Sequence, residues 1–364
     1  MVKSVVIFGA ETAVGLAAAK DLAAVRLGLL GESSAAVIAS IKALVPSLKG
    51  EAARALAAVE GVTPVPVPMD GHHTHALAHA LEGASDVFVV TPMDAAGADV
   101  AALVISAAAA AGATSLVITS LTVAGHTALR YGAQFGAVEA AARGSGIPQV
   151  VVVRTALGPA SLDGFVAHRT TIHEHGVVHG AAGPACRFTP CLAADAGRAV
   201  AAILRAPAAH AGRTYSLHVA APTSMAEFVG ALVAQMGGGG GGGGLRYEQL
   251  PREMVYKGMV RGGASRWAAE AELELWDVLN ASTERGGSGG AAVPQGVGGV
   301  SEAAEAALLA AGSPGALGTA MNVIAGWSPR VVAAGEQFAD VLMLTGVDAK
   351  SVPEWLAENL DSFR

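Results

Sequence analysis

The chain has 364 residues, enough for one large domain or two, and 52% of them are hydrophobic although only 4% are aromatic. A net charge of −7, with no basic stripe, argues against nucleic-acid binding through phosphate neutralisation. Two cysteines, Cys186 and Cys191, are too few for a disulfide framework and suit a reducing, cytoplasmic setting. The most apolar stretch, Val100 to Ile118, breaks at Gly112-Ala113-Thr114-Ser115, so it predicts helix–turn–strand and not a membrane span. Folding starts at Val2 with no basic-plus-apolar leader, which predicts neither a signal nor a transit peptide.

Taken in chain order, Val5 to Phe8 form a buried strand that enters a tight turn, and an Ala-rich helix starts at about Val14 and passes Lys20. Val25 to Leu30 reads as the second strand, followed by a helical stretch from about Ser34 to Val59 broken near Pro46. Val62 to Met69 reads as the third strand, and Pro64, Pro66 and Pro68 mark it as irregular or edge-like. Then come helix His75–Leu81, strand Asp86–Thr91, helix Asp99–Ala111, strand Leu116–Thr119, helix Tyr131–Ser145 and strand Val150–Arg154. This alternation predicts an α/β fold, a Rossmann-type doubly wound parallel sheet over residues 1–157, with ligands at the carboxyl ends of its strands.

The second half predicts a smaller α/β lobe over residues 158–364, interleaved with the first. It holds helix Asp195–Leu204 with Asp195 as N-cap, strand Thr214–Val219, helix Ser224–Gln235, strand Arg246–Leu250 and a mostly helical Glu253–Asn280. The tail is read as helical at Val331–Leu344 and Pro353–Phe363. The glycine-rich stretches 236–244 and 283–299 read as loops, since glycine loses most entropy on ordering and offers nothing to pack.

The chemistry concentrates in Gly9-Ala10-Glu11-Thr12-Ala13-Val14-Gly15. Gly9 permits the sharp turn, Gly15 the close approach of helix to strand, and the free N–H groups at the helix start, with Ala13 and Val14 among the cofactor-binding candidates, can then hold a pyrophosphate. Thr12 occupies the middle glycine position of such turns, and Glu11 adds a negative charge beside the phosphate place. The turn alone is also what any strand–helix junction needs. Histidines cluster at His72, His73, His75 and His79, and again at His168, His173, His175 and His179. Neither cluster carries a third ligand at metal spacing, so no metal is expected.

Several motifs together resemble the NmrA-like family of atypical short-chain dehydrogenase/reductases, with the layout of its quinone-reductase-type members. They are the Gly9–Gly15 turn, Leu81-Glu82-Gly83-Ala84-Ser85-Asp86-Val87-Phe88, Glu139 followed by Ser145-Gly146-Ile147-Pro148, and Val153-Arg154-Thr155. Phe188 to Asp195, Tyr247 ahead of Met254 to Asn280, and the closing Leu344-Thr345-Gly346-Val347 with Ser351 to Trp355 extend the match over nearly the whole chain. The resemblance implies NAD or NADP as cofactor. Members selecting NADPH end strand two with Arg, but no cation stands in Leu29-Leu30-Gly31-Glu32-Ser33-Ser34, and Glu32 suits a ribose 2′-hydroxyl, so NAD is favoured. Asp70 and Thr91, at the ends of the third and fourth strands, complete the cofactor-side candidates.

The catalytic candidates are Tyr131 and Ser120. A working short-chain dehydrogenase needs Tyr-x-x-x-Lys, because the Lys makes the Tyr acidic enough to give a proton. Here the spacing reads Tyr131-Gly132-Ala133-Gln134-Phe135, and Phe135 cannot do this. The expected function is therefore an NAD(P)-binding protein that acts as a redox sensor or scaffold. The alternative is an NAD(P)H-dependent reductase of a quinone or similar acceptor. The expected partners are the dinucleotide and another protein, with no nucleic acid and no membrane.

Overall fold

The computed structural model describes residues 2–28, 37–68, 74–155, 172, 176–217, 222–236, 245–286, 341 and 344–363. The expected Gly-rich loop at 237–244, most of that at 283–299, and Glu32, Asp70, His72, His73, His168, His173 and His175 lie outside them.

Strand β1 (Val2–Phe8) is followed by helix α1 (Ala13–Arg26), β2 (Val37–Val45), α2 (Glu51–Ala57), β3 (Val62–Pro66), α3 (Thr74–Leu81), β4 (Asp86–Val89) and α4 (Gly97–Ala110). Then come β5 (Ser115–Leu121), α5 (Arg130–Arg143) and β6 (Gln149–Thr155). After residue 157 the chain adds β7 (Val177–Gly180), β8 (Arg187–Phe188), α6 (Ala193–Arg205), β9 (Thr214–Ser216), β10 (Thr223–Ser224), α7 (Met225–Gln235), β11 (Arg246–Gln249), α8 (Arg252–Arg261), α9 (Arg266–Gly286) and α10 (Val352–Asn359).

Seven strands form one sheet in the order β3-β2-β1-β4-β5-β6-β9, and every neighbouring pair in it is parallel. Such a sheet must be covered on both faces. Ala18, Leu22, Leu56, Ala199 and Ile203, from α1, α2 and α6, pack on one face. Leu77, Val104, Ile105 and Val138, from α3, α4 and α5, pack on the other. The strand order reverses direction between β1 and β4, and that is where an open α/β sheet leaves a crevice. The proline-rich β3 stands at the sheet edge, where missing N–H donors cost nothing.

Four sequence expectations are corrected. Val25 and Arg26 close α1, and the second strand is Val37–Val45, inside the stretch read as helix. Ile38, Ile41, Ala43, Leu44 and Val45 are buried between β1 and β3, so sheet packing decides the state of a segment of mixed composition. Asp195 is not the N-cap of α6: Leu192 holds that place, and the buried Asp195 lies in the first turn, accepting the Lys350 amide at 3.0 Å. The helix α9 runs on to Gly286, so the loop expected from Thr283 begins as helix.

The second half contributes to the main sheet and to a core of its own. β9 extends the main sheet beside β6, and Gly197 of α6 lies directly against Ala17 and Ala18 of α1. A separate core gathers Phe188, Phe228, Trp276, Trp355 and Phe363, with β7 and β11 pairing in parallel nearby.

Candidate functional site

The crevice holds a cavity of about 450 Å³ at the carboxyl ends of β1, β4, β5 and β6. Phe8, Gly9, Glu11, Thr12, Ala13 and Val14 form its floor at the start of α1. Val90, Thr91, Pro92, Met93 and Asp94 follow β4, Thr119, Ser120 and Leu121 end β5, and Leu192, Ala193 and Ala196 come from α6. Of the sequence-derived candidates, Gly9, Glu11, Thr12, Ala13, Val14, Thr91 and Ser120 therefore meet in one place.

The turn explains itself residue by residue. Gly9 has φ +77°, a left-handed conformation that only glycine adopts cheaply, and a Cβ there would also meet Val90 at 2.9 Å. A Cβ on Gly15 would stand 2.3 Å from the Gly9 carbonyl oxygen, so helix and strand approach closely only with glycine at that place. Thr12 is the N-cap of α1: its Oγ1 donates to the Gly9 carbonyl at 2.8 Å and accepts the Gly15 amide at 3.1 Å. The Thr12 amide itself bonds the Gly9 carbonyl. The first four amides of a helix have no intrahelical partner. Here two of them are satisfied by the turn, and those of Ala13 and Val14 remain at the cavity floor, at the positive end of the helix dipole. This arrangement fits a dinucleotide pyrophosphate.

Glu11 sits beside the turn. Its Oε2 is buried and has no hydrogen-bond partner among the described residues, and burial pushes its carboxyl above the ordinary range despite a backbone hydrogen bond. Thr91 and Thr119 stitch the ends of β4 and β5: the Thr91 amide donates to Thr119 Oγ1 at 2.9 Å, and Thr91 Oγ1 donates to the Thr119 carbonyl at 2.8 Å.

Ser120 is fully buried and donates to Glu139 Oε1 at 2.6 Å. The same carboxylate receives Arg154 Nε at 2.8 Å, Arg154 Nη2 at 2.9 Å and Arg143 Nη2 at 2.9 Å. Burial alone would raise Glu139, but the hydrogen bonds from Arg154, Ser120 and Arg143, with the Arg154 charge, hold it below its ordinary value. Glu139 and Arg154 were visible in the sequence as motif residues, yet no spacing rule joins two side chains fifteen positions apart on a helix and a strand.

Tyr131 does not line the cavity. It is 2% exposed, in a cluster with Leu121, Leu129, Phe135, Ala271 and Leu275, its ring edge-on to Trp267 at 5.4 Å. Burial raises its phenol well above the usual range, and the carboxylates of Glu272 and Asp94 push the same way. Phe135, in the place of a Lys, is the residue that reaches the cavity. The exposed His75 and His79 lie on α3, away from the cavity lining, and the described residues hold no group of three or more metal-ligating side chains.

No known family model and no curated protein matches the sequence. Solved structures do. The chain is similar to an NADPH-dependent quinone oxidoreductase from Escherichia coli solved with NADPH, at 20% identity and a TM-score of 0.63, over 97% of this chain and 99% of that one. It is also similar to the Citrobacter triphenylmethane reductase complexed with NADP(H), at 21% identity and a TM-score of 0.60, over 76% and 90% of the two chains. A third is NmrA, a negative transcriptional regulator, in complex with NAD, at 18% identity and a TM-score of 0.51, over 78% and 98%. The fold is the one these proteins share. Among the described residues, no helix is long and apolar enough to cross a membrane.

Proposed function

We propose that this chain is an NAD(P)-binding protein of NmrA-like type, acting as a redox sensor or dinucleotide-dependent scaffold. The observation that carries the reading is the pair of amides, Ala13 and Val14, that meet no partner among the described residues at the floor of the crevice between β1 and β4. Those amides would hold the pyrophosphate, and the space toward Thr119, Ser120 and Phe135 would take the nicotinamide half. When bound, the nicotinamide supplies or accepts a hydride.

NAD is favoured over NADP. The second strand ends at Val45, so the residues following it are Pro46, Ser47, Leu48 and Lys49. No arginine stands there to grip a 2′-phosphate. Lys49 is the residue to examine if NADP binds better.

The Tyr-x-x-x-Lys route for giving a proton to a reacting carbonyl is missing. Tyr131 is packed away from the cavity with its phenol held protonated, Phe135 carries no charge, and the Ser120 proton is already given to Glu139. General acid catalysis contributes about 10²–10⁴-fold, so ketone and aldehyde turnover should be hard to detect.

A second reading, reduction of a quinone-like acceptor, is supported by the apolar end of the cavity, where Pro92, Met93, Leu121, Phe135 and Leu192 would flank a flat ring. A reduced quinone leaves as a stabilised phenolate and takes its protons from water, so it needs position more than acid catalysis. The test is turnover of ketone and quinone panels with NADH and NADPH, beside a direct binding titration. Binding without turnover supports the sensor, binding with quinone turnover the second reading. Ketone turnover that collapses in Tyr131→Phe would defeat both.

A further inference from the structure

Resting on the dinucleotide reading above, we infer that Gln134 is a positioning residue: it clamps the cavity rim after β4 to the helix that carries Phe135, and so fixes the slot that receives the ring end of a dinucleotide.

Gln134 is 6% exposed and stands in α5 next to Phe135, which reaches the cavity. Its Nε2 carries two protons, and both are committed to the loop between β4 and α4. One goes to the Pro92 carbonyl at 3.2 Å, the other to the Asp94 carbonyl at 2.7 Å. Pro92, Met93 and Asp94 line the cavity. Met93, Asp94 and Ala95 are exposed, so burial does little to hold them. The loop is held at both ends instead. Upstream are the paired bonds of Thr91 with Thr119, and downstream the Gly97 amide bonds the Asp94 carbonyl at 3.1 Å. Gly97 makes room for the clamp: a Cβ there would stand 2.1 Å from the Pro92 carbonyl oxygen and 2.2 Å from Gln134 Nε2. The other end of the amide gains nothing, because Gln134 Oε1 is buried with no partner among the described residues. An unpaired buried acceptor costs stability, so the glutamine is placed for its rim bonds and not for its own packing. What it supplies is a fixed spacing between the rim and Phe135.

The experiment titrates NAD and ADP-ribose, which lacks only the nicotinamide, into the wild type, Gln134→Met and Gln134→Glu. Methionine keeps the volume and loses both donors. A freed rim must be ordered again when the ring enters. Gln134→Met should therefore bind NAD about tenfold more weakly than the wild type, and ADP-ribose within about twofold of it. In Gln134→Glu an ionised carboxylate would face two carbonyl oxygens and release the rim at about pH 8, whereas its protonated form would donate one bond back to it. Its NAD deficit against the wild type at the same pH should shrink at about pH 5, while that of Gln134→Met should not. Comparison at equal pH removes the contribution of Glu11, which all three proteins share. A side chain that merely held the fold would weaken both ligands alike, with no recovery on acidification. Equal losses of NAD and ADP-ribose binding in Gln134→Met overturn the assignment, as does a Gln134→Glu deficit that stays constant with pH, or a wild type that binds NAD no more tightly than ADP-ribose. If Gln134→Glu does not fold, the Gln134→Met comparison decides. In each of these cases ADP-ribose still binds, and only the role of Gln134 falls. If neither ligand binds the wild type, the dinucleotide reading falls and this inference with it.

Discussion

Two carboxyl groups show how position outweighs residue type. Glu11 is half-buried beside the turn after β1, with a buried oxygen that meets no donor among the described residues, and its carboxyl is raised by burial. Above its raised pKa it repels the pyrophosphate of either dinucleotide, and below it that repulsion is lost. NAD binding should therefore tighten as pH falls, and Glu11→Gln should flatten the dependence, read by titration across a pH series. Glu272, on α9, is pushed up to about 7 by burial, against a hydrogen bond from Trp276 that lowers it. A carboxyl raised in the folded state destabilises the fold above that pKa. The cost is absent below about pH 4.5 and complete above about pH 7. Glu272→Gln should raise stability at pH 8 by about 1–3 kcal/mol and change little at pH 4, measured by denaturant melts. Thr12 was legible as a departure from the glycine pattern but not as the N-cap it proves to be, because capping depends on the helix starting at Ala13.

At the level of the elements, the sequence is most legible where strands are short, apolar and bounded by turns. β1, β4, β5 and β6 lie where the apolar runs predict them. The second strand is not legible from composition: Val37-Ile38-Ala39-Ser40-Ile41-Lys42-Ala43-Leu44-Val45 mixes strand-favouring Val and Ile with helix-favouring Ala, Lys and Leu. It is held extended by pairing with β1 and β3 at once, information that no local window contains. Conversely, Val25 joins α1 because the Ala-rich run before it favours continuing the helix. One tie across the sheet is charged. Lys3 of β1 donates to the Leu204 carbonyl at 2.6 Å and stands 3.5 Å from Asp86 of β4, both side chains nearly fully buried. Burial lowers the Lys3 pKa while Asp86 supports its charge. Removing one partner strands the other, so Asp86→Ala should cost about 3–5 kcal/mol. A loss below about 1 kcal/mol in chemical denaturation would show that the pair is not coupled.

Across the whole molecule, the two halves of the chain are joined by the same structure that builds the site. α6 and β9 come from the second half, yet α6 packs against α1 and lends Leu192, Ala193 and Ala196 to the cavity wall, and β9 completes the sheet. The turn after β1 was legible because its glycine spacing is local. The α6 wall was not, because it depends on where a distant helix lands. The central claim is that the start of α1 binds a dinucleotide through the Ala13 and Val14 amides. The most direct measurement is calorimetric titration of NADH into the wild type and into Ala13→Pro. Proline is tolerated at the first position of a helix, and the extended backbone of Thr12, φ −76° and ψ 159°, suits a following proline, so the fold should survive while one phosphate donor disappears. The account predicts saturable binding to the wild type and at least about tenfold weaker binding to Ala13→Pro with the melting temperature unchanged. Equal affinity in the two proteins, or no binding by the wild type, would contradict it.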